Sequence, residues 1–175
     1  MKIIPVEEVD GVSLIEFDRF TDDRGYFQEM YSTAKDYPHF TGTSRQTNVS
    51  VSAKNVVRGL HVAPFAKLCC CLRGRLYDVI ADVRPNSKTY KNWYGVWLDE
   101  KSNKQLFVPK GCAHGFYSAE DDTMLMYMQD GTYNPYYEYE VNWKDSQIGV
   151  KWPQADRYIL SHKDQMAKSL KDLYS

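Results

Sequence analysis

The sequence predicts an all-β protein, and three observations support this. Fourteen tyrosines, seven phenylalanines and four tryptophans among 175 residues belong to residue types that favour strands. Short apolar segments alternate with turn signals along most of the chain, without repeats, low-complexity tracts or a domain linker. A chain of this length buries about 70% of its unfolded surface as one domain. We therefore expect a single domain over residues 1–175, folded as a β-sandwich or barrel.

The strands are expected to follow one another as hairpins. A first hairpin is predicted around the turn at residues 21–25, and a second around Arg73-Gly74-Arg75, where strand-like sequence resumes on both sides. Residues 148–153 resemble an edge segment that a proline ends. Further strands are expected at residues 93–98, 105–108 and 124–128.

Helices are expected at two places only. Residues 32–45 have mixed character and predict a short helix followed by a loop. The C-terminal tail predicts a short helix with Met166, Leu170 and Leu173 on one face. Ser161, three residues before Asp164, is a capping signal for its start.

Charge and cysteine content exclude several functions and locations. The 22 basic and 23 acidic residues leave a net charge of −1, so we expect no binding to nucleic acid or to an anionic membrane. The N-terminal segment turns acidic before a signal-peptide core forms, which predicts a cytoplasmic protein. Cys69, Cys70 and Cys71 are consecutive, which suits neither disulfides nor zinc spacing, and we interpret them as small core residues in a reducing compartment.

Residues 46–52 alternate with period two. Gln46, Asn48, Ser50 and Ser52 share one face, while Thr47, Val49 and Val51 share the other, which is expected to pack. A polar ladder of this kind is usually solvated. Because this strand leads into residues 58–67, lining a site is the alternative.

Residues 58–67 place a guanidinium, an imidazole and an ammonium in otherwise apolar sequence. These are Arg58, His61 and Lys67. Lys67 begins a strand that is apolar on both faces, and a buried ammonium costs several kcal/mol unless it is paired or reaches a wet cavity. Such a group of side chains can bind an anion and move a proton.

A second histidine lies in a glycine-rich turn. Pro109-Lys110-Gly111-Cys112-Ala113-His114 fits the second sequence motif of the cupin barrels. Metal-binding cupins also need two histidines separated by one residue in a first motif, but this chain has Ala63 two residues after His61. Lys67 would repel a cation in the same pocket, so we expect catalysis without metal.

Six segments together carry a family pattern: Asp22–Glu29, Gln46–Ser52, Arg58–His61, Ala66–Leu68, Pro109–Phe116 and Ser161–Asp164. In these segments, which follow the family's order, the chain resembles the dTDP-4-dehydrorhamnose 3,5-epimerases and related nucleotide-sugar epimerases, and the match runs from Val12 to the C-terminus. The resemblance implies a cupin-like jelly roll, a homodimer with exchanged N-terminal strands, and no metal or redox cofactor.

The resemblance also implies roles for individual residues. His61 resembles the catalytic base, Asp164 the group that orients its imidazole, and Tyr127 the proton donor on the opposite face of the sugar, with Tyr133 as the alternative donor. The 4-keto group of such a sugar acidifies the hydrogens at C3 and C5, and Lys67 or Arg58 would stabilise the resulting enolate. The implied substrate contacts are Arg24, Glu29, Gln46, Asn48, Arg58, Lys67, His114, Glu138 and Lys163.

The segment after His61 departs from the family pattern. Many members have a glutamine where this chain has Ala63, and more residues before the lysine. A shortened pocket wall favours a larger sugar, such as a GDP-linked 4-keto heptose of bacterial capsules, over a dTDP-linked 4-keto-6-deoxyhexose. The sequence leaves open whether C3 alone or both carbons invert, and whether the product belongs to capsule or lipopolysaccharide synthesis. The alternatives are a cupin 3,4-ketoisomerase acting on nucleotide sugars and a non-catalytic sugar-binding cupin.

Overall fold

Strands dominate the computed structural model, which describes residues 1–35, 37, 40 and 45–174. The strands are β1 (Lys2–Pro5), β2 (Ser13–Glu16), β3 (Arg19–Asp22), β4 (Gly25–Gln28), β5 (Gln46–Ser52), β6 (Val57–Val62), β7 (Lys67–Arg73), β8 (Arg75–Ala81), β9 (Trp93–Asp99), β10 (Lys104–Val108), β11 (Ala113–Ser118), β12 (Thr123–Gln129) and β13 (Tyr139–Glu140). Helices are limited to α1 (His162–Gln165) and α2 (Leu170–Leu173) in this part of the chain. The prediction of an all-β fold is confirmed.

Two antiparallel sheets form the body of the protein. One has six strands in the order β1-β2-β10-β7-β12-β5, and the other has five in the order β13-β6-β11-β8-β9. A core cluster joins Leu106 and Leu125 of the first sheet to Leu76, Leu98 and Phe116 of the second, so the sheets pack face to face as a sandwich. Strands β3 and β4 form the predicted first hairpin, which stands apart as a two-stranded sheet. The second predicted hairpin, around Arg73-Gly74-Arg75, is wrong, because this turn carries the chain from β7 in one sheet to β8 in the other.

Two glycines let β6 and β11 approach closely near His61 and His114. Gly59 has a φ of +126°, and a Cβ on it would lie 2.6 Å from the Cα of Gly115. A Cβ on Gly115 would lie 2.6 Å from the carbonyl oxygen of Arg58. The pairing of these strands also shifts register between His114 and Phe116. Side chains at either glycine would therefore push apart the strands that carry His61 and His114.

The C-terminal helix is divided into two single turns. Ser161 caps the first by accepting a hydrogen bond from the backbone N–H of Asp164, as predicted, and Ser169 caps the second in the same way. Leu170 is buried, but Met166 is exposed. The expectation that Met166 lies on one helix face with Leu170 and Leu173 is wrong, because the second serine cap starts a new turn after Met166.

Two other local expectations have different outcomes. Residues 148–153, expected as an edge segment, form no strand in the described chain. The segment 32–45, expected to contain a short helix, includes positions 36, 38, 39 and 41–44, which lie outside the described residues. Within the described part, no helix has the length and apolar character needed to cross a membrane.

Candidate active site

A pocket of about 620 Å³ is lined by residues of both sheets and of the C-terminal segment. Strands β5, β7 and β12 of one sheet and β6 of the other contribute side chains, together with the segments around residues 133–140 and 159–164. Nine of the twelve residues predicted as catalytic or substrate-binding line it. These are Gln46, Asn48, Arg58, His61, Lys67, Tyr127, Glu138, Lys163 and Asp164.

His61 and Asp164 form a hydrogen-bonded pair although 103 residues separate them. Nε2 of His61 lies 2.6 Å from Oδ1 of Asp164, and Ser161 donates its hydroxyl to Oδ2 at 2.9 Å. Burial opposes ionisation of Asp164, but the hydrogen bonds and charge of His61, with further hydrogen bonds from Ser161 and the Gly59 backbone, lower its pKa. The carboxylate is therefore anionic, and it orients the imidazole with the other ring nitrogen free to accept a proton.

Lys67 is a desolvated cation at the base of the pocket. Its residue is 8% exposed, and burial lowers the pKa of its ammonium, against the opposing influence of Cys69, Glu138 and Asp78. Its Nζ lies 5.7 Å from the ring centroid of Tyr127. Within the described chain, no carboxylate pairs with it at ion-pair distance. The Lys67 ammonium is poorly solvated and can therefore interact strongly with an anionic oxygen that enters the pocket.

Tyr127 lies on the wall opposite His61. It belongs to β12 in the six-stranded sheet, whereas His61 belongs to β6 in the five-stranded sheet. Burial raises the pKa of the Tyr127 phenol, with smaller contributions from Cys69 and Glu138, so the hydroxyl keeps its proton. Tyr133 also lines the pocket but is largely exposed. The pocket thus has a proton acceptor on one wall and a protonated phenol on the other.

The polar face of β5 lines the pocket, and its apolar face does not pack. Nε2 of Gln46 donates to Oδ1 of Asn48 at 2.9 Å, and Nδ2 of Asn48 donates to Oε1 of Gln129 at 3.4 Å. By contrast, Val49 is 54% exposed and Val51 is 49% exposed. Within one chain, the expectation that this second face packs is wrong, because β5 is the edge strand of its sheet and turns its polar side inward.

Arg58 and Lys163 add positive charge at the pocket wall. Nε of Arg58 donates to the Ser52 hydroxyl and its Nη2 to the Val51 carbonyl oxygen, both at 3.0 Å. Among the described residues, no carboxylate forms an ion pair with this guanidinium. Lys163 forms an ion pair with Glu140. Oε1 of Glu138 accepts the backbone N–H of Asn134 at 3.2 Å. These contacts leave Arg58 available to an anionic ligand.

Three predicted contact residues do not line the pocket. Arg24 is an exposed residue of the β3–β4 turn paired with Asp22 at 2.5 Å, and Glu29 pairs with Lys35 at 2.5 Å just after β4. His114 is buried in the interior, where its Nε2 lies 2.7 Å from Oδ1 of Asp78. Within one chain, the structure therefore separates these side chains from the other nine.

Sequence reasoning missed four residues at or near the site. Gln129 shares a strand face with Tyr127, and this two-residue spacing would have found it. Ser161 was recognised as a helix cap but not as a donor to the Asp164 carboxylate. Asp78 lies within an apolar strand, and a buried carboxylate needs a partner, so the sequence indicates a buried polar partner such as His114. Glu140 carried no distinguishing signal in sequence.

The described residues contain one cluster of possible metal ligands. Ligand atoms of Cys69, Asp78 and His114 lie within 4.8 Å of one another, and all three residues are buried. Burial raises the pKa of the Cys69 thiol well above its ordinary value, so the thiol stays protonated and is a poor ligand. Asp78 already bonds His114. The side chains therefore fit a hydrogen-bonded interior pair better than a metal centre.

The fold and pocket together define a cupin-like β-sandwich with an acid–base pair at a ligand pocket. The family model described as dTDP-4-dehydrorhamnose 3,5-epimerase matches residues 7–172. A protein of that name from Escherichia coli is 38% identical over 173 residues, covering 95% of this chain and 93% of its own. One from Methanothermobacter thermautotrophicus is 37% identical over 170 residues, covering 94% and 92%. The chain belongs to the dTDP-4-dehydrorhamnose 3,5-epimerase family, a family of sugar isomerases.

Solved structures agree with this membership. The epimerase of that name from Elizabethkingia anophelis superposes with a TM-score of 0.91 at 37% identity, covering 98% of this chain and 97% of its own. The Legionella pneumophila enzyme, solved in complex with dTDP-4-keto-L-rhamnose, gives a TM-score of 0.93 at 34% identity, with coverages of 99% and 94%. The predicted cupin-like fold and the expected class of enzyme are confirmed.

Proposed function

We propose that this protein inverts C3 and C5 of a dTDP-linked 4-keto-6-deoxyhexose through an enolate. The observation that carries the proposal is the pair of opposed walls, with His61 held by Asp164 on one and the protonated phenol of Tyr127 on the other. The names of the relatives support the dTDP-linked sugar. The GDP-linked heptose expected from the short segment between Ala63 and Lys67 stays an untested alternative.

The proposed chemistry moves one proton off carbon and another onto it. The free ring nitrogen of His61 takes the hydrogen from C3 or C5, and the electron pair moves to the C4 oxygen to form an enolate. Asp164 stabilises the imidazolium, and the Lys67 ammonium stabilises the enolate oxygen. Tyr127 then gives its phenolic proton to the carbon from the opposite face, and the phenolate regains a proton while His61 loses one to solvent.

Deuterium exchange tests this function directly. The protein is incubated with a dTDP-4-keto-6-deoxyhexose in deuterated water, and NMR follows deuterium at C3 and C5. We expect incorporation at both carbons with inverted products. His61→Asn should lower turnover at least ~100-fold, because the base is lost. His162→Asn, a matched change of an exposed histidine outside the pocket, should leave turnover unchanged.

Other outcomes would contradict the proposal. Exchange at neither carbon would remove the epimerase function, and a carbonyl that migrates from C4 to C3 would identify a ketoisomerase. Sugar binding without exchange would identify a silent sugar-binding protein. Exchange at C3 alone would restrict the function to a single inversion.

We further propose a homodimer with exchanged N-terminal strands. Phe20, Tyr26 and Phe27 on the β3–β4 hairpin are exposed, as are Val49 and Val51 on the outer face of β5. Covering these apolar side chains with a second copy would remove them from water, which is favourable. In such a dimer, Arg24 and Glu29 of one chain would reach the pocket of the other.

The dimer has a simple test. Light scattering after size-exclusion chromatography should give twice the chain mass for the wild type. The double substitution Val49→Lys and Val51→Lys should reduce the measured mass to that of a single chain. A monomeric wild type would refute the proposal.

A cytoplasmic location and a role in surface polysaccharide synthesis stay predictions. The four free cysteines fit a reducing compartment.

A further inference from the structure

Apart from His61, acidic and basic side chains line the pocket in equal number, although the proposed ligand is a strong anion. Its lining residues include three basic side chains, Arg58, Lys67 and Lys163, and three acidic ones, Glu138, Glu140 and Asp164. A diphosphate carries several negative charges and is ordinarily met by unpaired cations. The placement of each carboxylate therefore decides how strongly the pocket attracts its ligand.

The three carboxylates have different partners. Asp164 is held by His61 and Ser161, and Glu138 accepts a backbone N–H. Glu140 is the lining carboxylate that forms an ion pair with a lining lysine, Lys163, in the described structure. Glu140 thus pairs with an ammonium that could otherwise bind an entering phosphate.

The two partners are fixed to different degrees. Glu140 lies opposite His61 in the pairing of β13 with β6, and its side chain is 16% exposed. The side chain of Lys163 is 58% exposed and stands on α1, one residue before Asp164. A lysine has a flexible four-carbon stem, so Lys163 can turn toward a ligand while Glu140 stays at the wall.

We propose that Glu140 sets the affinity of the pocket for the diphosphate by competing with it for Lys163. When Lys163 turns to a phosphate oxygen, the Glu140 carboxylate loses its partner and faces a bound anion. Both effects weaken binding of the charged ligand. Glu140 is therefore a residue that limits substrate and product affinity without touching the reacting carbons. This assignment rests on the proposed nucleotide-sugar substrate.

Calorimetric titration of the full-length protein with dTDP tests the assignment. Removing one negative charge several ångströms from a phosphate should strengthen binding, so Glu140→Gln should lower the Kd about threefold to thirtyfold. Glu16→Gln, which removes the carboxylate of a lysine ion pair remote from the pocket, should leave the Kd unchanged.

A double-mutant cycle tests the role of Lys163. Lys163→Met should weaken dTDP binding, and adding Glu140→Gln to it should give a smaller gain than in the wild type. An equal gain in both backgrounds would show that Glu140 acts without Lys163 and would overturn the assignment.

The remaining outcomes separate this assignment from the proposed function. If dTDP binds the wild type and Glu140→Gln with equal affinity, the competition is refuted while the epimerase proposal stands. If dTDP binds neither protein, the proposed function on a dTDP-linked sugar falls, and the proposed competition for its diphosphate falls with it.

Discussion

Replacing Asp164 with asparagine should show how much of the activity depends on the hydrogen bond between Asp164 and His61. The carboxylate is nearly fully buried and lies 2.6 Å from Nε2 of His61. Losing this charge-assisted hydrogen bond removes about 3 kcal/mol from the stabilisation of the imidazolium, or about 100-fold in rate. The asparagine amide can also donate to Nε2, which moves the imidazole proton to the nitrogen that should act as the base. We expect the total loss in kcat to reach about 1,000-fold.

The assay is steady-state turnover of the dTDP-4-keto sugar together with solvent deuterium incorporation. Ser161→Ala is the matched control, because it removes the hydroxyl that donates to Oδ2 at 2.9 Å and keeps the carboxylate. It should cost about 1 kcal/mol of stability through loss of the helix cap, and less than about tenfold in kcat. If Asp164→Asn stays within tenfold of the wild type, Asp164 does not support the base, and the reasoning fails.

Two further predictions concern the acid and a structural carboxylate. Tyr127→Phe should lower formation of inverted product at least ~100-fold, while His61 still exchanges the abstracted proton with solvent, and Tyr133→Phe should keep most of the turnover. If the two substitutions have the reverse effects in the NMR assay, Tyr133 is the proton donor. Asp82 is buried, and although burial opposes its ionisation, hydrogen bonds from Arg84, Ser87 and Thr89 lower its pKa to about 2. Because the folded-state pKa lies below the unfolded value, Asp82 contributes about 2 kcal/mol of stability above about pH 4, and this is lost as pH falls through about 2. Urea denaturation should show that Asp82→Asn lowers the free energy of unfolding at neutral pH by at least this amount, and that the difference from the wild type narrows toward pH 2. A difference that does not change with pH would contradict this prediction.

Local chemistry made several features predictable from sequence. The hairpin around residues 21–25 and the Ser161 cap depend on a few neighbouring residues, and both are present. The two-residue period of β5 correctly grouped Gln46 with Asn48. Which face points inward was not predictable, because that depends on the neighbours of β5 in its sheet, and β5 lies at an edge. Exposed Val49 and Val51 are the consequence.

The sequence by itself determined the strand-rich architecture, the family motifs and the kinds of side chain available for acid–base chemistry. Only the tertiary structure joined His61 to Asp164 across 103 residues, and set Tyr127 on the facing sheet. Only the tertiary structure also shows that His114 is buried beside Asp78 and that Glu140 forms an ion pair with Lys163. The physical reason is that residue type and local period determine which side chains share a face of a strand. Burial, charge partners and the order of strands in the sheet determine which residues those side chains contact.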